Sequence, residues 1–178
     1  MVSVIIRHGK VDFPWKKLYS SAQFDKACAS YDSAPLLPAE YRVPDVLFSR
    51  CYVSTLQRTR DTAFGLFGDI DMTKTPLIDE VPMNSSLDTE LRLPLLFWKL
   101  SGRLQWLCGS GRQKESRLRT LKRASRFTDL LIKRNEDCVI VSHGFYMHVL
   151  IYVMKKKGFR IGNRSLFYKN GACVYAVR

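Results

Sequence analysis

Two histidines and two arginines stand at places in the sequence where they could act on one phosphoryl group. Arg7 and His8 directly follow the first apolar run, His143 directly follows a later one, and Arg58 lies on the first turns of a predicted helix. A neutral imidazole is a capable nucleophile at phosphorus, and a guanidinium binds phosphate oxygens with fixed geometry. These residue types therefore favour phosphoryl transfer, which depends mainly on positioning and charge stabilisation and needs no metal here.

A glycine follows each of the two histidines. Gly9 comes after His8, and Gly144 comes after His143 and directly precedes a helix that is predicted to begin at Phe145. Glycine lets the backbone approach a ligand closely, and the N-terminus of a helix offers N–H donors and a positive dipole end. We therefore expect Gly9 and Gly144 to line the same oxyanion pocket.

The elements that must position these residues alternate between strands and helices. The apolar runs 2–6 and 138–142 lack polar alternation, which is typical of strands buried on both faces of a parallel sheet. Further predicted strands lie at 45–52 and within 69–79, and predicted helices begin near Ser20, at Ser54 or Thr55, and near residues 95, 115 and 145. The pattern predicts an α/β fold with a mostly parallel sheet and helices on both faces. Because ligands bind at the carboxyl ends of such strands, the residues that follow them should meet at one edge.

Three local patterns carry further predictions. Asn170 and Gly171 stand between two apolar runs, which predicts a hairpin. Leu118 is expected on the buried face of the long helix that begins near residue 115. His148 lies in an apolar helix and is expected to be a buried, hydrogen-bonded residue outside catalysis.

Length and composition predict one folded globular domain. The chain has 178 residues, of which 46% are hydrophobic and 25% charged, and it shows no repeat or low-complexity linker. We therefore expect a single domain over residues 1–178, with a basic helical insertion at about 95–134.

The charge balance predicts an anionic partner. Lys and Arg number 29 and Asp and Glu number 16, which gives a net charge of +13. The densest cations lie between Lys99 and Arg126, where they either face a phosphate pocket or form a solvated surface. No nucleic-acid partner is expected, because the chain has no known RNA or DNA module and no aromatic residues interleaved with this basic run. The residues do not specify an oligomeric state.

The cysteines and the apolar segments predict a cytoplasmic location. The 5 cysteines include no C-x-x-C pair, which indicates neither a disulfide framework nor a metal site. The N-terminal apolar run has no basic leader and stops at Arg7, too early for a signal peptide. The longest apolar stretch, residues 145–154, is far shorter than the roughly 20 residues of a membrane span, so no membrane partner is expected.

Taken together, the motifs resemble the histidine phosphatase superfamily, also called phosphoglycerate-mutase-like, and its small phosphatase branch. The resemblance rests on Arg7-His8-Gly9, on residues 54–63 (STLQRTRDTA) and on Ser142-His143-Gly144, in that order and each at a strand end. It implies that His8 is phosphorylated transiently and that Arg7, Arg58 and His143 bind the transferred group. It also implies an acidic residue that protonates the leaving oxygen.

Two acidic residues are candidates for the group that protonates the leaving oxygen. Glu80 matches the family position best, in a loop after a short strand, and Asp79 is the alternative. The chain departs from the commonest family pattern at two places: Val81-Pro82 follows the acid, and Lys10-Val11 follows Gly9.

The resulting interpretation is a metal-independent, cofactor-free phosphatase that hydrolyses phosphate monoesters through a phosphohistidine on His8. A hydrolase is preferred over a mutase because the chain offers little material for a lid that would keep water from the phosphoenzyme. The alternatives are a phosphoglycerate-type mutase and a non-catalytic phosphate or nucleic-acid binder that keeps the pocket. The interpretation assigns catalysis to His8 and Glu80, and phosphate binding to Arg7, Arg58, His143, Gly9 and Gly144.

Overall fold

The computed structural model describes residues 1–42, 44–163 and 165–178, which divide into two compact units. The first unit comprises Met1–Val11, Leu36–Glu80 and Leu121–Arg178, and the second comprises Asp12–Pro35 and Val81–Thr120. The interpretation of residues 1–178 as one domain with an insertion at about 95–134 stays a prediction.

The described residues form eight strands and five helices. The strands are β1 (Val2–Arg7), β2 (Leu18–Tyr19), β3 (Arg50–Val53), β4 (Met72–Lys74), β5 (Leu93–Pro94), β6 (Cys138–Ser142), β7 (Arg160–Ile161) and β8 (Cys173–Val177). The helices are α1 (Ser21–Ser33), α2 (Gln57–Phe67), α3 (Leu95–Cys108), α4 (Arg117–Arg134) and α5 (Gly144–Lys156), with a 3-10 turn at Pro76–Ile78. None of the helices in the described ranges is long and apolar enough to cross a membrane.

The first unit is built on a six-stranded sheet in the order β4-β3-β6-β1-β8-β7. The four strands β4, β3, β6 and β1 run parallel, while β8 is antiparallel to β1 and β7 is antiparallel to β8. The predicted α/β fold with a mostly parallel sheet is confirmed.

Helices cover both faces of this sheet. On one face, side chains of β1, β3 and β6 pack with Ala63 and Leu66 of α2. On the other face, Tyr52 of β3 packs edge-on against Phe127 of α4, with ring centroids 5.3 Å apart. Because side chains alternate between the faces of a strand, neighbouring residues of β3 contribute to two different layers.

The second unit packs α1 and α3 around aromatic side chains. Helix α1 begins with a capping box of Ser20 and Gln23, and its Phe24 stacks on Trp98 of α3 with ring centroids 5.6 Å apart. The indole Nε1 of Trp98 donates to the carbonyl of Tyr19 at 3.0 Å. The short strands β2 and β5 pair antiparallel beside these helices.

The predicted bounds near residue 54 are wrong. The second predicted strand, 45–52, is the shorter β3, and α2 has Leu56 as its N-cap instead of Ser54 or Thr55. The side chains of Ser54 and Thr55 make other contacts: Ser54 with His143, and Thr55 with the carboxylate of Asp79.

The predicted hairpin at Asn170 and Gly171 is also wrong. The strand that pairs antiparallel with β8 at this edge is β7, which ends well before this turn, at Ile161. Gly171 has a positive φ of 74°, whereas Asn170 does not, and the N–H of Ala172 donates to the carbonyl of Lys169 at 3.0 Å. This pattern is that of a type II turn, whereas the twist of a two-residue hairpin needs a primed turn.

Leu118 is 71% exposed, which contradicts its prediction as a buried residue. The buried stripe of α4 runs instead through Thr120, Ala124, Phe127 and Leu131. These positions are three or four residues apart and share one helix face, from which Leu118 is displaced.

Candidate active site

The sheet brings the two histidine motifs together. Strands β1 and β6 pair in parallel with Arg7 opposite Ser142, so the next residue of each strand, His8 and His143, leaves the sheet at the same edge. Their ring centroids lie 5.1 Å apart, and both residues are buried. The predicted convergence of strand-end residues is therefore present in the structure.

His8 is held as a neutral imidazole with one free nitrogen lone pair. Its Nδ1 lies 2.7 Å from the carbonyl oxygen of Gly9. Because a carbonyl only accepts, Nδ1 carries the hydrogen and Nε2 carries the lone pair. Burial, followed by the positive charges of Arg58 and Arg7, lowers the pKa of His8 from 6.5 to about 3. His8 thus presents an unprotonated Nε2 at neutral pH.

The backbone that follows His8 is fixed by α2. The N–H of Gly9 donates to Oγ1 of Thr62 at 2.8 Å, and this hydroxyl donates to the carbonyl of Arg58 at 2.6 Å. A Cβ at Gly9 would lie 3.3 Å from the ring of Tyr41, so the position has little room for a side chain. Gly9 therefore sits between α2 and Tyr41.

His143 has both ring nitrogens engaged. Nε of Arg58 donates to Nδ1 of His143 at 3.2 Å, and Nε2 of His143 lies 2.7 Å from Oγ of Ser54. Nδ1 accepts, so the single hydrogen of the neutral ring is on Nε2 and is donated to Ser54. Burial, with the neighbouring His8 and Arg58, lowers the pKa of His143 well below 6.5.

Ser54 continues the hydrogen-bonded chain into α2. Its Oγ accepts from the N–H of Leu56 at 3.1 Å and lies 3.0 Å from Oγ1 of Thr59, which donates to the carbonyl of Leu56 at 2.9 Å. The sequence places Ser54 at a strand end but does not reveal that it accepts from His143, because that contact spans 89 positions.

Arg7 carries a buried donor that the protein does not use. Its guanidinium donates through Nη1 to the carbonyl of Tyr168, while its buried Nε makes no hydrogen bond within the described part of the chain. A Cβ at Gly144 would lie 2.8 Å from this Nε, so glycine is needed for Arg7 to lie across the start of α5. A buried guanidinium N–H of this kind is suited to a phosphoryl oxygen.

The two candidate acids occupy different places. The carboxylate of Glu80 accepts from the backbone N–H of Tyr146 at 3.0 Å and from that of Phe145 at 3.4 Å, at the start of α5. The carboxylate of Asp79 accepts from the N–H of Thr55 at 2.7 Å and from its hydroxyl at 2.6 Å. The Asp79 carboxylate is therefore bound to Thr55, whereas the Glu80 carboxylate contacts the first turn of α5, directly after His143.

The loop that ends in Glu80 is anchored by Arg123 and Ser142. Nη1 of Arg123 donates to the carbonyls of Leu77 at 3.1 Å and Asp79 at 2.7 Å. The guanidinium carbon of Arg123 also lies 4.2 Å from the ring centroid of Tyr146, and the hydroxyl of Ser142 donates to the carbonyl of Ile78 at 2.8 Å. The sequence shows Arg123 only as one cation in a basic run, and nothing in that pattern signals its contact with this loop.

His148 is exposed, and its prediction as a buried residue is wrong. Its ring lies against that of Tyr168, with centroids 4.9 Å apart. His148 and Tyr152, four residues apart, are exposed on α5, as are Lys155 and Lys156 at its end. Partial burial lowers the pKa of His148; the charge of Glu80 opposes this effect and that of Arg7 adds to it.

Among residues 1–42, 44–163 and 165–178, no group of three or more His, Cys, Asp or Glu side chains is placed to hold a metal ion. The charged groups around His8 are instead the guanidinium groups of Arg7 and Arg58. A buried and a half-buried guanidinium beside a neutral imidazole can bind a tetrahedral oxyanion and stabilise negative charge as it develops.

Comparison with known proteins identifies the family. The family model of the histidine phosphatase superfamily (branch 1) matches residues 3–175. The chain belongs to the histidine phosphatase superfamily. The resemblance seen in the three motifs is thereby confirmed. No curated protein sequence matches the chain.

Solved structures of this superfamily share the fold at low sequence identity. A phosphoserine phosphatase from Entamoeba histolytica, crystallised with 3-phosphoglyceric acid, is 18% identical with a TM-score of 0.58, over 98% of this chain and 89% of that one. A mycobacterial glucosyl-3-phosphoglycerate phosphatase is 15% identical with a TM-score of 0.61, over 98% and 88%. A phosphoglycerate mutase from Bacillus anthracis is 14% identical with a TM-score of 0.59, over 98% and 86%. The fold of this chain is thus shared with both phosphatases and a mutase.

Proposed function

We propose that this chain is a metal-independent phosphatase that hydrolyses phosphate monoesters through a phosphohistidine on His8. The observation that carries the proposal is the state of His8: a buried neutral imidazole whose Nδ1–H is held by Gly9, so that the lone pair lies on Nε2. The buried Nε–H of Arg7 supplies a donor for the group that Nε2 attacks. The predicted substrate is an anionic phosphomonoester, which agrees with the net charge of +13.

In the first step, Nε2 of His8 attacks phosphorus and the bond between phosphorus and the ester oxygen breaks. The carboxylic acid of Glu80 gives its proton to the departing oxygen, so an alcohol leaves and Glu80 becomes a carboxylate. Arg7 and Arg58 stabilise the charge on the phosphoryl oxygens as it moves from substrate to His8.

In the second step, water attacks the phosphorus of the phosphohistidine. The carboxylate of Glu80 takes a proton from this water, the P–N bond breaks, and its electron pair returns to Nε2 of His8. Orthophosphate is released, and both His8 and Glu80 return to their starting protonation states.

His143, Gly9 and Gly144 complete the proposed phosphate site. Gly144 lets the guanidinium of Arg7 lie across the start of α5, and Gly9 supplies the carbonyl that orients His8. His143 positions Arg58 by accepting from its Nε. These roles follow from the contacts made by the family motif residues of this chain.

The test compares hydrolysis of p-nitrophenyl phosphate and of a panel of phosphorylated metabolites with interconversion of phosphoglycerates, for the wild type and for His8→Ala. We expect release of orthophosphate by the wild type and its loss in His8→Ala. If phosphoglycerate interconversion exceeds hydrolysis, the chain is a mutase. If neither reaction occurs, while oligonucleotide binding is tight and depends steeply on salt, the chain is a non-catalytic binder.

A further inference from the structure

The turn at residues 169–172 lies against the backbone of the nucleophile. The N–H of Arg7 donates to the carbonyl of Ala172 at 3.0 Å, and the N–H of Gly171 donates to the carbonyl of Arg7 at 2.9 Å. These bonds extend the pairing of β1 with β8 past the end of the strand. Residues far apart in the sequence thereby meet at the start of the catalytic loop.

Asn170 is the residue of this turn whose side chain contacts the backbone of the nucleophile His8. Its Nδ2 donates to the carbonyl of His8 at 2.9 Å and to the carbonyl of Gly9 at 3.1 Å. Both partners are carbonyls, which only accept, so the amide nitrogen and not the oxygen must face them. One side-chain amide therefore bridges two consecutive peptide groups.

The carbonyl of Gly9 is shared by two donors. Nδ1 of His8 lies 2.7 Å from it and Nδ2 of Asn170 lies 3.1 Å from it. A carbonyl oxygen has two lone pairs and can accept both hydrogen bonds. Whatever fixes the direction of this carbonyl also fixes the rotation and the tautomer of the imidazole.

The turn holds Asn170 in place because two features restrict it. Gly171 has a φ of 74°, which favours glycine, and a Cβ at this position would lie 2.0 Å from the ring of Tyr41. The phenol oxygen of Tyr41 accepts from the N–H of Lys10 at 2.9 Å, which ties the same ring to the loop after Gly9. The backbone of the turn that carries Asn170 is therefore restricted by Gly171 and by the ring of Tyr41.

We propose that Asn170 is a positioning residue for the nucleophile: its amide holds the Gly9 carbonyl that keeps the hydrogen of His8 on Nδ1 and aims Nε2 at the phosphoryl group. The kinetic part of this proposal rests on the function proposed above. The structural part, the effect of Asn170 on the tautomer of His8, does not depend on catalysis.

The experiment uses Asn170→Asp and Asn170→Ala in the full chain. Aspartate has the same shape but offers no donor to the two carbonyls, and alanine removes the group. Asn135→Asp is the matched control, because Asn135 is an exposed asparagine at the end of α4 with a φ of 51°. Far-UV circular dichroism and urea unfolding show whether each variant is folded.

The first readout is the ¹⁵N chemical shift of the two His8 ring nitrogens at neutral pH. We expect a single Nδ1–H tautomer in the wild type and in Asn135→Asp, and a mixture with Nε2–H in both Asn170 variants. The second readout is turnover of p-nitrophenyl phosphate, where misplacement of the nucleophile should lower kcat by about 10- to 100-fold while KM changes by less than about threefold.

A wild-type His8 tautomer and a wild-type kcat in both Asn170 variants would overturn the proposal. If Asn170→Asp does not fold, Asn170→Ser, which keeps one donor, should give a kcat between those of the wild type and Asn170→Ala. If the wild type has no turnover, the proposed function fails, while the ¹⁵N shifts still decide whether Asn170 sets the tautomer.

Discussion

Nε of Arg58 donates to Nδ1 of His143 at 3.2 Å, although the two residues lie 85 positions apart. This bond and the acceptor Ser54 leave the neutral His143 with no N–H for a ligand. A hydrogen bond from Nδ1 of His143 to a phosphoryl oxygen therefore requires Arg58 to release this nitrogen, which must then take up a proton.

Oxyanion binding should accordingly protonate His143. Burial is the main cause of the lowered pKa of His143, and the neighbouring charge of Arg58 adds to it. A dianion in the pocket counteracts that positive charge and so favours the imidazolium. We expect the ¹⁵N shifts of both His143 nitrogens to move to imidazolium values when orthophosphate is added at pH 7. If both shifts keep their neutral values at saturating phosphate, Nδ1 of His143 does not donate to the phosphoryl group.

The burial of a neutral His8 should make stability depend on pH. Its pKa is about 3 in the folded state and near 6.5 in the unfolded state, so between these values the unfolded chain binds a proton that the folded chain does not. The free energy of unfolding should therefore fall as pH drops below 6.5, by about 1.4 kcal/mol per pH unit from this residue.

Urea unfolding from pH 7 to pH 5 measures this effect. Relative to the wild type, His8→Gln should become more stable as the pH falls, by about 2 kcal/mol at pH 5, because glutamine has no proton to gain. Equal pH slopes for the two proteins would show that His8 is not held neutral by burial.

If Glu80 and not Asp79 is the proton donor, the loss of kcat/KM should depend on the leaving group in a Glu80 variant but not in an Asp79 variant. Glu80→Gln removes the proposed proton donor, so kcat/KM for an alkyl phosphate should fall by about 10²- to 10⁴-fold, and by much less for p-nitrophenyl phosphate, whose leaving group needs little protonation. Asp79→Asn makes the same charge change and should alter both substrates equally, because Asp79 accepts from Thr55. The reverse pattern would assign the acid to Asp79.

Gly144→Ala should weaken oxyanion binding. The added Cβ would lie 2.8 Å from Nε and 3.0 Å from Cζ of Arg7, so the guanidinium must move. We expect the inhibition constant for orthovanadate to rise by about tenfold or more, equivalent to at least about 1.4 kcal/mol. Gly65→Ala is the matched control, because nothing lies within 4 Å of its added Cβ and alanine favours a helix interior. Equal inhibition of the two variants would argue against Arg7 as an oxyanion ligand.

The sequence predicted the part of the site that strand ends define. Because β1 and β6 are buried runs that pair in parallel, the residues after them, His8 and His143, had to lie at one edge of the sheet. The same reasoning placed Arg58 on the helix after β3. These positions depend on local pattern and on one general rule of sheet topology.

The remaining contacts could not be predicted, because they join segments that no local pattern relates. Asn170 bonds to His8 across 162 positions, and Arg123 bonds to the loop before Glu80 across 44. An Asn-Gly pair is compatible with several turn types, and here contacts with β1 and Tyr41 accompany a type II turn rather than a hairpin. The exposure of His148 likewise depends on which face of α5 the sheet covers.

Rapid-quench trapping of the phosphoenzyme shows whether His8 is the residue that receives the phosphoryl group. The protein is mixed with a phosphomonoester, denatured in alkali within milliseconds, digested, and analysed by mass spectrometry for a phosphorylated histidine. We expect an acid-labile phosphoryl group on His8 that forms before product phosphate accumulates, and no such group in His8→Ala. Turnover without any phosphohistidine, or with the phosphoryl group on another residue, would contradict it.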